Sequence, residues 1–288
     1  MLKGYPQYLM PGHLISRLTY RLMRIESPAV KNRLIRLFMR LFQISLAEAQ
    51  IQQAEGFLHF NAFFTRALKP ECRPIAGNSN TIISPVDGMV SQFGAIRNGR
   101  IIQAKGHDYS VAELLATVPA VSEQFSKGHF ITIYLSPRDY HRIHQPLDGL
   151  LRQMIHVPGR LFSVNLATAA TINRLFAKNE RVITLFDSDR GPFAQVLVGA
   201  VNVGSIETVW AGEVTPPSCK LPRAWSYAEL TAPRLQRGEE MGRFNMGSTV
   251  ILLIANPELK WDEKIMIGSK VRMGEALAQF TPDQKEMP

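Results

Sequence analysis

Apolar positions recur with helical spacing near the start of the chain and in short runs after it. Over residues 11–26, Leu14, Ile15, Leu18, Leu22 and Ile25 return every three or four positions, and Arg17, Arg21 and Arg24 line a neighbouring stripe. Over residues 31–46 the pattern repeats. Leu34, Ile35, Leu37, Phe38, Leu41 and Phe42 make a broad apolar face, with Arg33, Arg36 and Arg40 gathered on the other. This period predicts two amphipathic helices. Ser27-Pro28 predicts the break between them, because proline biases the residue before it away from helical backbone. Shorter helices are predicted over 46–53 and 60–67.

After Pro70 the period changes. Runs rich in Val and Ile at 81–83, 89–96, 130–135, 182–186, 195–203 and 248–254 are punctuated by Gly, Pro, Asn and Asp, and read as strands. One helix is predicted among them, over 161–176. The fold class is therefore α+β: N-terminal amphipathic helices over 1–70 and a β-rich body over 71–288. Within that body, 84–90 and 268–280 resemble each other and the turns of a barrel-sandwich hybrid, a likeness of fold alone.

Composition narrows the function classes. The chain has 288 residues, 45% of them hydrophobic, which is neither disordered nor collagen-like. Its two cysteines, Cys72 and Cys219, exclude a disulfide scaffold or a Cys-rich zinc site and suit a reducing compartment. No secretory signal pattern fits the early sequence, and the longest uncharged stretch, 191–206, is too short to span a bilayer. The net charge of +9 points to an anionic partner. Residues 1–50 hold eight cations and two acids, a balance of +6, so most of the excess sits on the amphipathic helices. Two such helices in tandem read as a membrane-surface element, with ordinary packing on their own domain as the alternative. Nucleic acid is disfavoured, because no basic-aromatic interleaving accompanies the arginines.

Three clusters hold candidate chemistry. His141 and His144 lie three apart in a run with Arg138, Asp139 and Arg142, which suits paired acid and base roles or a metal half-site. Pro137 and Pro146 bracket that run and argue against a regular zinc-binding helix. Asp87 sits in an Asp-Gly turn ahead of a strand, and could orient a histidine. Gly247-Ser248-Thr249 places a small hydroxyl beside a glycine at the lip of a very apolar strand.

Taken in order, a longer set of motifs carries a resemblance. The set begins with Phe63-Phe64-Thr65-Arg66-Ala67-Leu68-Lys69-Pro70, Arg73-Pro74 and Ser84-Pro85-Val86-Asp87-Gly88. It continues through the 134–146 run, 158–165, Asn179-Glu180-Arg181, 198–206 and 238–244, and ends at Gly247-Ser248-Thr249. Over most of its length the chain resembles the bacterial, pyruvoyl-dependent phosphatidylserine decarboxylases. Met246 stands where that family usually has leucine, a volume-conserving exchange.

The resemblance implies self-cleavage at Gly247-Ser248 into a large β chain, 1–247, and a small α chain, 248–288. Ser248 would attack the Gly247 carbonyl, with His144 as base and Asp87 as the carboxylate orienting it, the division of labour of a Ser-His-Asp triad. Elimination and hydrolysis would then leave a pyruvoyl cofactor made from Ser248. Its ketone would form a Schiff base with phosphatidylserine, accept electrons as CO2 leaves, and release phosphatidylethanolamine. His141 would work on substrate. Arg66, Lys69 and Arg73 are candidate phosphate contacts, and no metal is implied. The resemblance also implies a homodimer on the cytoplasmic face of the inner membrane, held peripherally on anionic lipid. Two other readings remain open on the residues alone: a zinc hydrolase using His141, His144 and Asp87, and a non-enzymatic membrane-binding protein.

Overall fold

A computed structural model describes Gln7 and residues 11–104, 106–201, 205–215, 220–246 and 249–281. Two helices lead: α1 (Gly12–Leu22) and α2 (Pro28–Phe42), with Pro28 in the first turn of α2, where its missing N–H costs nothing. Gln43 closes α2 in the left-handed conformation, φ 52°. A third, short helix, α3 (Phe60–Phe64), starts where the His59 ring accepts a hydrogen bond from the Ala62 N–H. Ile35 of α2 and Phe57, Phe60, Phe63 and Phe64 form a small aromatic core. Phe38 packs edge-on against Phe60 and Phe63.

The body is antiparallel. Its largest sheet runs Arg223–Ser226, Gly149–Val157, Arg181–Asp187, Phe193–Val198, Thr249–Ile254, His129–Tyr134, Gly88–Ala95, Lys270–Val271, and Arg234–Leu235 also pairs with Gly149–Val157. Thr249–Ile254 lies between Phe193–Val198 and His129–Tyr134 and is buried at every position. That is why it reads as an unbroken apolar run rather than an alternating one. A second sheet pairs Ser205–Thr208, Glu240–Asn245 and Arg142–His144. The two segments that resemble each other in sequence meet directly. Thr81–Ile83 pairs with Ala276–Phe280, and Gly88–Ala95 pairs with Lys270–Val271. The class is α+β, and the sheets are open, with no closed barrel among the described residues.

Two predicted helices do not form. Residues 46–53 instead run as an irregular segment whose backbone pairs with 67–69 (Gln50 N–H to the Ala67 carbonyl, Lys69 N–H to that of Glu48). Residues 161–176 hold only the single-turn helices Leu166–Ala169 and Leu175–Lys178. The cause is Gln103. Its buried amide donates to the carbonyls of Ala169 and Ile172 and accepts from the Leu175 N–H, taking backbone groups a continuous helix would use. Arg174 turns left-handed at that point, φ 56°.

The outer face of α1 also departs from ordinary packing. Its polar side holds the body: Tyr20 donates to Glu213 at 2.7 Å, Arg24 pairs with the same carboxylate, and Ser16 is buried. The leucine stripe faces outward, with Leu14 57%, Leu18 59% and Leu22 46% exposed. On α2, Leu37 and Leu41 are likewise exposed, beside exposed Arg33, Arg36 and Arg40.

Candidate active site

The 134–146 segment leaves the sheet at Tyr134, turns, and returns as the strand Arg142–His144. Asp139 shapes the turn by accepting from both the N–H and the hydroxyl of Ser136, each at 2.7 Å. His141 follows, fully buried. Its Nδ1 lies 2.8 Å from the Asp139 carbonyl, and its ring centroid is 4.0 Å from that of Phe64. A carbonyl only accepts, so Nδ1 carries the proton and Nε2 presents a lone pair. That Nε2 is buried and has no partner among the described residues. Burial, reinforced by the nearby Arg66 cation, pushes the imidazole down to about 3. The backbone carbonyl of His141 accepts from the Phe244 N–H at 3.0 Å, tying it to the strand that leads toward residue 247.

His144 is held on both ring nitrogens. Nδ1 meets the Gly238 carbonyl at 2.8 Å, and Nε2 meets the Tyr140 hydroxyl at 2.9 Å. Burial pushes this imidazole below its ordinary value as well. Its backbone N–H donates to the Pro85 carbonyl, which brings the turn containing Asp87 alongside. Asp87 itself serves another partner. Arg73 donates to its two oxygens at 2.9 and 2.5 Å, and the Met273 N–H adds a third bond at 2.8 Å. Among the described residues, no hydrogen bond joins Asp87 to His144. The buried guanidinium fork, also paired with Glu48 at 3.0 Å, takes the carboxylate in bidentate geometry. The groups orienting His144 are thus Tyr140 and the Gly238 carbonyl, neither of which sequence spacing singles out. His141, His144 and Asp87 each address separate partners, and no metal-ligand cluster forms among the described residues.

Gly247 and Ser248 lie outside the described residues, but both flanks are described. Met246 has φ 91°, a conformation costly for a side chain larger than glycine. It packs against the aromatic core and lines an apolar cavity of about 270 Å³ with Phe38, Phe42, Phe64 and Tyr134. Thr249 is fully buried, and its hydroxyl has no partner among the described residues. Asn245 is clamped between Asn61 of α3 (2.8 Å) and Ser205 (2.5 Å). A polar cavity of about 500 Å³ shares Tyr134 with the apolar one. Of the three candidate phosphate contacts, Arg66 and Arg73 line it, and half-buried Lys69 lines neither cavity.

Buried neutral bases, a strained backbone and adjoining polar and apolar cavities are the features of an enzyme site. The chain belongs to the phosphatidylserine decarboxylase family: residues 60–279 match the family model of that description, and 2–43 match a second, described as PSD. Curated relatives carry the name phosphatidylserine decarboxylase proenzyme. One from Azotobacter vinelandii is 52% identical over 275 residues, covering 95% of this chain and 96% of that one. One from Alkalilimnicola ehrlichii is 55% identical over 252 residues, 88% of each chain. One from Pseudomonas aeruginosa is 52% identical over 274 residues, 94% of each.

Proposed function

We propose that this chain is the precursor of a phosphatidylserine decarboxylase, which cleaves itself at Gly247-Ser248 and carries a pyruvoyl group made from Ser248 at the head of its small chain. The observation that supports this most is the junction itself. Strained Met246 stands on one side and buried Thr249 on the other, with the lone pair of His141 enclosed nearby. The unpartnered Thr249 hydroxyl can donate to a small keto group, and the His141 Nε2 lone pair can accept from an amine that approaches it, so Thr249 would hold the keto group and His141 would face the amine.

In maturation, the His144 Nε2 lone pair takes the proton of the Ser248 hydroxyl once Tyr140 yields it. Asp87 contributes negative charge nearby and, while bound to Arg73, does not orient the ring by a hydrogen bond. In turnover, the pyruvoyl ketone supplies the electron sink for decarboxylation. His141, neutral and unprotonated at Nε2, can accept a hydrogen bond from the substrate's amine and so orient it toward the ketone. The aromatic side chains of α2 keep the apolar cavity dry.

The exposed leucines of α1 and α2, flanked by arginines, seat the protein on anionic lipid. Among the described residues no helix is long and apolar enough to cross a membrane, which fits peripheral attachment. The cytoplasmic face of the inner membrane and a homodimer follow from the family resemblance.

Mass spectrometry of the purified protein tests the core of this reading. Two chains are expected, with residue 248 converted to a ketone. Ser248→Ala should leave one intact chain that releases no CO2 from phosphatidylserine. An intact wild-type chain that decarboxylates would overturn the reading.

A further inference from the structure

The polar cavity carries more positive charge than its walls neutralise. Arg73 is committed to Asp87 and Glu48, and Arg272 lies 3.5 Å from Glu48. The remaining lining cations, Arg66, Arg138 and Lys270, form no ion pair among the described residues. The third lining acid, Asp139, accepts from Ser136 and keeps its charge, so five lining cations face three acids.

Arg66 is the telling member. It leaves the chain two residues after α3 and is 7% exposed. Nη2 donates to the Arg138 carbonyl at 3.2 Å, whereas Nη1 is buried with no acceptor. Burial pushes the guanidinium below its ordinary value without making it neutral at physiological pH. A buried guanidinium nitrogen lacking an acceptor is costly, and each such group calls for a specific explanation. An anion entering the cavity provides one.

We infer that this cavity is a receptor for a phosphate-type oxyanion, anchored by Arg66 and rimmed by Arg138 and Lys270. Three cationic groups arriving from three separate segments suit a tetrahedral anion with several acceptor oxygens better than a single carboxylate. The cavity exceeds the size of one such anion, and Tyr134 lines both it and the apolar cavity beside Met246. The phosphodiester of a lipid headgroup is one source and free phosphate the other. The lipid source rests on the function proposed above.

Two measurements test the inference. Thermal unfolding of the Ser248→Ala chain with added inorganic phosphate reads binding without activity, and a rise in midpoint is expected. Decarboxylation kinetics on phosphatidylserine micelles then assign the source. Competitive inhibition by inorganic phosphate assigns the site to the headgroup, and a midpoint rise without competition assigns it to free anion. Both outcomes support the receptor. For a headgroup site, Arg66→Gln is expected to raise KM by at least about tenfold. Lys270→Gln, at an exposed position that does not threaten folding, should give a smaller rise. Gel analysis of self-cleavage in the same variants keeps failure of the receptor distinct from failure of the enzyme reading. No midpoint rise in the Ser248→Ala chain, together with unchanged KM in both variants, would overturn the inference.

Discussion

The Tyr140 hydroxyl lies 2.9 Å from His144 Nε2, on the side of the ring away from the Gly238 carbonyl. Because that carbonyl fixes the proton on Nδ1, the tyrosine must be the donor, and it occupies the lone pair a general base needs. Burial raises the Tyr140 hydroxyl above its ordinary pKa, so it stays protonated and the cap persists. Tyr140→Phe is therefore expected to speed self-cleavage several-fold, followed as precursor disappearance on denaturing gels. Slower processing would instead make Tyr140 part of the proton path.

Acid should destabilise the folded chain through its two buried histidines. Both have depressed pKa values in the native state, His141 to about 3, so an unfolded chain binds protons that the folded one refuses. Their contribution is complete above about pH 6.5 and falls by up to about 1.4 kcal/mol per pH unit for each below it. For His141 the loss continues down to about pH 3. Urea midpoints between pH 7 and pH 5 should fall, and His141→Gln should flatten that slope. In the same variant, self-cleavage should persist while decarboxylation is lost.

Strain at Met246 gives a backbone test. A non-glycine residue held at φ 91° costs of order 1–3 kcal/mol. If that energy helps open the adjoining peptide bond, Met246→Gly should slow self-cleavage by roughly tenfold, while the relief of strain offsets part of the stability lost with the Met246 packing. Cleavage at the wild-type rate would remove strain from the mechanism.

The Arg73–Asp87 pair is a structural brace as well as a neighbour of His144. Both side chains are largely buried, and burial alone would weaken the guanidinium, but hydrogen bonds to Asp87 and Glu48 outweigh it and raise its pKa. Arg73→Gln strands a carboxylate and is expected to cost about 3–5 kcal/mol of stability. Adding Asp87→Asn should recover much of that loss in thermal unfolding.

The membrane docking proposed above should be separable from folding, because the leucines concerned are largely exposed. Leu18 is 59% and Leu41 67% exposed. Leu18→Ser with Leu41→Ser should leave the unfolding midpoint nearly unchanged and weaken sedimentation with anionic vesicles at least about tenfold. Unchanged sedimentation would refute the docking role.

Local pattern settled what depends on neighbours along the chain. The period of apolar residues placed α1 and α2, and the run at 130–135 lies within one residue of the strand His129–Tyr134. Motif order sufficed for the family and for placing Asp87, His141 and His144 in one neighbourhood. Tertiary structure decided the rest, because it depends on groups far apart in sequence competing for the same partner. Gln103 interrupts the helix expected over 161–176 by taking its backbone groups. Glu213 draws the polar side of α1 inward and turns its leucines out. Arg73 claims the carboxylate expected to orient His144, and a carbonyl and a tyrosine hold the ring instead. A hydrogen bond or ion pair goes to whichever group the fold brings within 3 Å, and sequence spacing does not encode that distance.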